Sequence, residues 1–369
     1  MSLAFADRNI AAQPSIAACV RDVTQKELPQ LVDAIDKGSL YPADFLRAIG
    51  AAGAFAGHTK ADASVDLNPT IDAMSEVSEV CGATGFMTWC QDTLVWYIAN
   101  TENDELKSAL LAKTASGAQL GGTGLSNPMK SFFGIEKLKL KGKRVDGGYS
   151  VSGALPWVSN LGDDHMFGTI FEREDGEKVM FIADCANPNI DLLPCDPFLA
   201  MDGTGTYGIH FKDAFVPDSL VLAHAAMPFV KKIRAGFILL QAGMAVGVTR
   251  DCISIMERTK SSLGHVNKFL NMQQPEDFTQ SLMTLDKEVR DLASMPYETS
   301  ASFWRRVVQA RLDAGDLTMA AAHATMLHTG ARGYLMSNRA QRRMREAYFV
   351  GIVTPATKQL HKMLAEMND

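Results

Sequence analysis

Tyr149 and Trp157 stand eight residues apart in Gly147-Gly148-Tyr149-Ser150-Val151-Ser152-Gly153-Ala154-Leu155-Pro156-Trp157-Val158-Ser159-Asn160, and a hydroxyl follows the tryptophan two places on. An indole beside amide and hydroxyl donors makes a flat apolar wall with a polar edge, suited to holding a planar ring system. The plain alternative is a core tryptophan on a β-hairpin. Acidic chemistry is missing from two long stretches: residues 219–250 and 348–365 contain no Asp or Glu. A general base drawn from either stretch has no carboxylate to use. Metal chemistry is not expected. His323 and His328 are five apart, the wrong spacing for one helix face, and the six cysteines are scattered without a Cys-x-x-Cys pair.

The elements that position these residues change character twice along the chain. Apolar residues recur at three- and four-residue spacing over 16–23, 28–35 and 45–49, and a longer apolar helix is expected over 71–90 and a short one over 106–115. From about 119 the pattern alternates, as in Lys137-Leu138-Lys139-Leu140-Lys141 and Tyr149-Ser150-Val151-Ser152, with Asp-Gly turn signals between. Further strands are expected over 166–170, 178–183 and 208–217. Helical spacing returns after Pro228, with helices expected over 233–256, 276–293, 300–312, 317–335 and the C-terminal segment. The reading is an α+β multidomain protein: a helical domain over 1–118, a middle domain of antiparallel strands over 119–222 and a C-terminal helical bundle over 223–369.

Composition agrees with a globular chain of 369 residues, 47% hydrophobic and 21% charged, long enough for two or three domains. A net charge of −6 gives no reason to expect nucleic acid or an anionic membrane as partner. The first 25 residues include Asp7, Arg8 and Arg21 and no continuous apolar core of a leader. No stretch approaches the roughly 20 apolar residues that span a bilayer; the nearest, 235–248, is short and includes Gln241. A cytoplasmic protein is expected. Because 235–248 is apolar on nearly every face, it is expected to be buried inside the bundle or between subunits.

Helices, then strands, then helices is the order of the acyl-CoA dehydrogenases, and several motifs fall in the corresponding places. The block 146–160 resembles that family's G-x-Y-x-x-x-G-x-K-x-W-I-T/S-N, with Ala154-Leu155-Pro156 lacking the family lysine. Thr123-Gly124-Leu125-Ser126-Asn127-Pro128 is similar to the stretch ending T-E-P; the following G-S-D is not recognisable, Ser131 being nearest. Phe211-Lys212-Asp213-Ala214-Phe215-Val216-Pro217 is similar to F-D-x-V-x-V-P. Met256-Glu257-Arg258-Thr259-Lys260-Ser261-Ser262-Leu263-Gly264 sits where the family has Y-x-x-x-R-x-x-F-G, and Leu327-His328-Thr329-Gly330-Ala331-Arg332-Gly333-Tyr334 resembles Q-x-x-G-G-x-G-Y.

The resemblance implies FAD. Leu125 and Ser126 would meet the pyrimidine edge of the flavin, Trp157 would pack on the ring, and Val158 and Ser159 would present donors to O4 and N5. Lys260 replaces the arginine that binds the diphosphate of a neighbouring subunit's FAD, as a point charge without the guanidinium fork. Gly330 lets backbone approach the cofactor, and Arg332 is a second cation beside it. The resemblance also locates a loss. Aligning Arg345-Glu346-Ala347 on the family's R-D-A puts Val353, Thr354 or Pro355 where the glutamate base belongs, and Phe237 lies at the alternative base position used by some members.

Three functions remain open. The first is an oxidoreductase acting on an acyl-CoA with a displaced base, such as Glu257, Asp251 or a histidine, and an electron-transfer partner. The second is a flavin-dependent monooxygenase of the same fold, acting on a small apolar or aromatic substrate with a flavin reductase partner; Trp89, Phe132, Phe133 and Phe237 would line its pocket. The third is a non-catalytic subunit of a hetero-oligomer. A homotetramer, or a dimer built on the same helices, is expected for the first two.

Overall fold

The computed structural model describes residues 14–62, 64–271 and 273–367; residues 1–13, part of the segment scanned for a leader, lie outside it. Helices come first: α1 (Ile16–Glu27), α2 (Val32–Asp36), α3 (Ala43–Ala51), α4 (Asn68–Val80), α5 (Gly82–Asn100) and α6 (Asp104–Ala115). Ser15 opens α1 by accepting from the Ala18 N–H, an N-cap that satisfies one of the first-turn donors. The helix expected over 71–90 is two, parted just before Gly82. The chain breaks at Cys81, which is extended, and α5 then runs on to Asn100. Every residue of α5 is buried, so this helix is the strut against which both other regions pack.

The middle region is one eight-stranded sheet: β1 (Gly121–Thr123), β2 (Lys141–Val145), β3 (Gly148–Val158), β4 (Met166–Arg173), β5 (Lys178–Asp184), β6 (Ile190–Pro194), β7 (Tyr207–Pro217) and β8 (Val221–Ala223). The strand order is β6-β7-β3-β2-β4-β5-β8, with β1 on β4. Most pairs are antiparallel as expected, but β1 and β2 both run parallel to β4. Each reaches it through a long connection, which parallel pairing requires. The alternating segment 137–141 is not a strand until Lys141. Leu138 and Leu140 are nonetheless buried, and Asn127 on the short helix α7 (Ser126–Phe132) takes the place of a strand partner. Its side chain accepts from the Lys139 N–H and donates to the Lys137 carbonyl.

The last region comprises α8 (Ala226–Leu239), α9 (Ala242–Asn267), α10 (Pro275–Ala293), α11 (Ala301–Thr329), α12 (Arg339–Ile352) and α13 (Thr357–Glu366). The two helices expected over 300–335 are one, continuous through Gly315 and ended at Gly330. The apolar stretch 235–248 is buried inside the bundle, one of the two places expected for it. Ala235, Phe237, Met244 and Val248 are buried within their own chain. Gly247 lets α9 press onto α4, since a Cβ there would stand 2.4 Å from the Ser75 carbonyl. All six cysteines are free.

Candidate active site

The block that opened the sequence reading ends β3 with two departures from regular strand. The register with β7 shifts between Leu155 and Val158, and Trp157 takes φ +53°, a left-handed conformation rare for a bulky residue. The indole is thereby turned off the sheet and stands 61% exposed, edge-on to Phe198 at 6.4 Å. An exposed tryptophan held by a strained backbone favours the binding reading over the core one. Asn160, also left-handed at φ +64°, is buried and ties the middle region to the first helical one. Its amide donates to the Gly121 carbonyl (2.6 Å) and its oxygen accepts from the Tyr41 hydroxyl (2.8 Å). Ser159 lies against Gly122, where a Cβ would meet the Ser159 carbonyl at 2.3 Å. Its hydroxyl pairs with Thr206 (2.6 Å), which pairs with Thr204 (2.8 Å). The β3 end and the 121–126 segment therefore form one surface.

Ser126, half-buried at the start of α7, points at the far end of the molecule's last region. Its Oγ lies 2.9 Å from Thr354 Oγ1. Of the three residues at the expected base position, it is Thr354 that touches the segment expected to hold the flavin. Thr354 is held from behind: Gln241, in the break between α8 and α9, donates to its carbonyl (2.8 Å), and Arg311 Nε donates to Gln241 Oε1 (2.5 Å). Arg311 also donates to the Val350 carbonyl (2.5 Å) at the end of α12. It is buried, and its acceptors are all neutral; desolvation pushes it down to about 10. Sequence reasoning missed both Gln241 and Arg311, because the sequence gives no sign of which group a polar side chain faces.

The displaced-base candidates are occupied elsewhere. Asp251 is paired with Arg343 and Arg339, each at 2.6 Å, and Glu257 with Lys260 (2.9 Å). Lys260 also bridges Glu276 (2.5 Å), so its charge is already met by two carboxylates, the Glu276 bond being the main cause that raises its pKa. Arg332 is exposed and makes no ion pair among the described residues. Gly330 sits at φ +64°, ψ −149° with open space where a Cβ would be. The backbone conformation, not crowding, requires glycine there. Asn267 joins this end of the bundle, donating to Thr259 Oγ1 and to the His328 carbonyl. Among the described residues no hydrogen bond or ion pair links Lys260 or Gly330 to Ser126, Trp157 or Thr354. The site residues form two clusters, not one.

Residues 11–118 match the model described as acyl-CoA dehydrogenase, N-terminal domain. The human mitochondrial short-chain specific acyl-CoA dehydrogenase is 24% identical over 347 residues, 89% of this chain and 82% of its own. The short-chain specific enzyme of Clostridium acetobutylicum is 22% identical over 95% of this chain and 96% of its own. Residues 11–118 thus match that family's N-terminal domain, and the chain is similar to short-chain acyl-CoA dehydrogenases over most of its length. Its fold is that of butyryl-CoA dehydrogenase from Megasphaera elsdenii (TM-score 0.85, 16% identity, 99% of both chains covered). It is also that of a glutaryl-CoA dehydrogenase from Mycobacterium smegmatis solved with FADH2 (TM-score 0.81, 16% identity, 95% and 92% covered). Within this family fold the uncovered Trp157 and the donors around Ser126 and Ser159 fit a flavin, whereas Thr354 puts an alcohol where the resemblance expects a carboxylate.

Proposed function

We propose that this chain is a flavin-dependent oxidoreductase that holds FAD against Trp157 and acts on an acyl thioester beside Thr354. The observation that carries this reading is the 2.9 Å contact of Ser126 with Thr354, which joins the expected flavin wall to the expected seat of the base. FAD, when bound, supplies the two-electron acceptor for a carbon–carbon bond next to the thioester. Trp157 gives a ring face, and Leu125, Ser126, Val158 and Ser159 give donors to a polar edge. The relatives named as short-chain acyl-CoA dehydrogenases and the neighbour solved with FADH2 support the pairing of thioester and FAD.

Lys260 follows Ala242 by 18 residues on α9, about 27 Å of axial rise. That distance from Gln241 and Thr354 favours a role for Lys260 and Gly330 toward the cofactor of a second copy, with Arg332 the less encumbered cation. A cytoplasmic homotetramer follows as part of the proposal, its contact provided by exposed Tyr334, Leu335 and Met336 rather than by 235–248.

Thr354 is no base at neutral pH, so oxidation of the thioester proceeds roughly 10² to 10⁴-fold more slowly than with a positioned carboxylate. A second reading rests on this same absence: Phe237 and Thr354 leave both seats of the base without an acid, and a monooxygenase fed reduced flavin by a partner reductase needs neither. The test is to load the purified chain with FAD and add acyl-CoAs without oxygen. Slow bleaching of the flavin is expected. No bleaching, together with reductase-dependent oxygen uptake, replaces the first reading by the second. Failure to retain flavin when expressed alone removes both and leaves the non-catalytic subunit.

A further inference from the structure

Helix α5 carries packed rings in the same buried cluster as Leu125 and Val353, the chain neighbours of Ser126 and Thr354. Trp89 stacks on Phe86 (centroids 5.7 Å) and meets Phe237 edge-on (5.2 Å), and Phe86 meets Phe349 edge-on (4.5 Å). Phe86, Trp89 and Phe237 are each buried to within a few per cent. The Trp89 indole N–H donates to the Phe237 carbonyl (3.3 Å), pinning α5 to α8. Tyr97 closes the flank, its ring lying along Phe237 and its hydroxyl bonded to Thr123 (2.8 Å).

These rings adjoin the site from two sides. Phe349 lies on α12 five residues before Thr354, and Phe237 lies one helical turn before Gln241, which holds the Thr354 carbonyl. A reacting carbon placed between Phe237 and Thr354 therefore has the Phe86–Trp89–Phe237 cluster between it and the protein core. A buried ring cluster in rotamer minima does not yield space cheaply: extra methylenes forced into such packing cost about 1–3 kcal/mol.

Resting on the acyl-thioester reading, we propose that Trp89, fixed by its bond to the Phe237 carbonyl, is the floor of the acyl site and restricts it to thioesters of short acyl groups. The rings stop a straight chain soon after the reacting carbons, and Trp89 sets where. Loss of its indole opens depth toward α5 without touching Thr354, Ser126 or Trp157.

The test measures binding, not turnover. FAD-loaded full-length protein is taken through equilibrium dialysis with labelled acetyl-, butyryl-, octanoyl- and dodecanoyl-CoA, wild type beside Trp89→Ala. Trp89→Phe is carried in parallel because a truncated core indole can cost the fold, and circular dichroism and retained flavin show which variants are folded. In the wild type, octanoyl- and dodecanoyl-CoA are expected to bind about tenfold or more weakly than butyryl-CoA. In the folded variant that gap is expected to close or reverse. A wild type that binds octanoyl-CoA as tightly as butyryl-CoA overturns the floor and leaves the thioester reading standing. So does a folded Trp89→Ala protein with an unchanged chain-length profile, the result expected if the cluster is only core. Retention of flavin with no binding of any acyl-CoA removes the thioester reading itself, and the inference with it.

Discussion

The two ends of α12 face opposite demands. At its beginning, charge is dense and every buried group is matched. Arg343, fully buried, donates to Asp251 and Glu346 (both 2.6 Å) and to the Ser78 carbonyl at the end of α4. Arg342 reaches Glu346 and the Val80 carbonyl, and Glu346 accepts from the Gly82 N–H that opens α5 (3.0 Å). Cations at the carboxyl end of α4 and an anion at the amino end of α5 complement both helix dipoles at one joint. Just beyond the other end of α12, Thr354, Gln241 and Arg311 form a chain of hydrogen bonds with no carboxylate in it. Within the Arg345-Glu346-Ala347 frame, Glu346 serves this joint and Arg345 pairs with Asp36 (2.9 Å), so the frame has a scaffold role whether or not the chemistry nine residues after Arg345 is present.

The sharpest way to break this contrast is to restore the missing acid. With the thioester beside Thr354, Thr354→Glu is expected to speed anaerobic flavin bleaching by an acyl-CoA by roughly 10² to 10⁴-fold, since a base contributes through position first. An unchanged rate in a folded, flavin-loaded variant means that the end of α12 is no longer a seat for chemistry. At the other end, Arg343→Met takes from Asp251 and Glu346 their fully buried partner and leaves them the more peripheral Arg339 and Arg342. Removing one partner of a buried ion pair costs about 3–5 kcal/mol, so thermal unfolding should shift strongly downward or the protein should not accumulate. A loss below about 1 kcal/mol would mean the joint is ordinary surface charge, and the explanation of the frame fails.

The sequence made the order of regions legible because burial patterns change with element type, and the same fact explains where it misled. Residues 137–140 alternate because Leu138 and Leu140 are buried, not because they pair in a sheet; Asn127 satisfies the backbone instead. The 235–248 stretch is apolar all round, which fits a buried helix as well as an interface, and contacts with α4 and α11 decide for burial. At the site, Ser126, Trp157 and Thr354 were legible as types at motif positions. Gln241 and Arg311 were not, since their roles depend on which carbonyl lies opposite. Asp92 was equally silent. It is a carboxyl buried in α5 with no hydrogen-bond partner on either oxygen, and desolvation raises its pKa well above the usual range.

Asp92 and its neighbour His58 carry a smaller, pH-dependent test of how this region differs from the matched joint. Desolvation lowers His58 from 6.5 to about 4. Between these values the unfolded chain binds the proton and the folded chain does not, so stability falls as pH drops from 6.5 toward 4 and levels off below. At 1.36 kcal/mol per unit the difference is about 3 kcal/mol. Asp92 has the opposite sign: neutral when folded, it loses stability as pH rises above the ordinary carboxylate range. Urea unfolding across this range should show His58→Gln with a shallower slope on the acid side. Asp92→Asn should gain on the wild type as pH rises. Parallel curves for all three proteins would show that neither group titrates differently on folding.

Trp157→Ala carries the smallest expected effect and the cleanest reading. The indole is mostly exposed, and its one ring contact among the described residues is edge-on to Phe198, so its removal should leave the thermal unfolding of the flavin-free protein nearly unchanged; surface truncations usually stay within about 0.5 kcal/mol. If the ring instead packs on a flavin, the face it covers is lost. Such aromatic contacts contribute about 0.5–1.5 kcal/mol beyond area burial, so FAD should bind about tenfold more weakly and its absorption bands should shift. The two measurements must diverge: stability held, affinity lost. A variant that unfolds earlier while keeping FAD affinity and spectrum would mean that the left-handed turn at Trp157 braces the hairpin. The wall of the site would then have to be sought along 121–126, on the Ser126 side of the same surface.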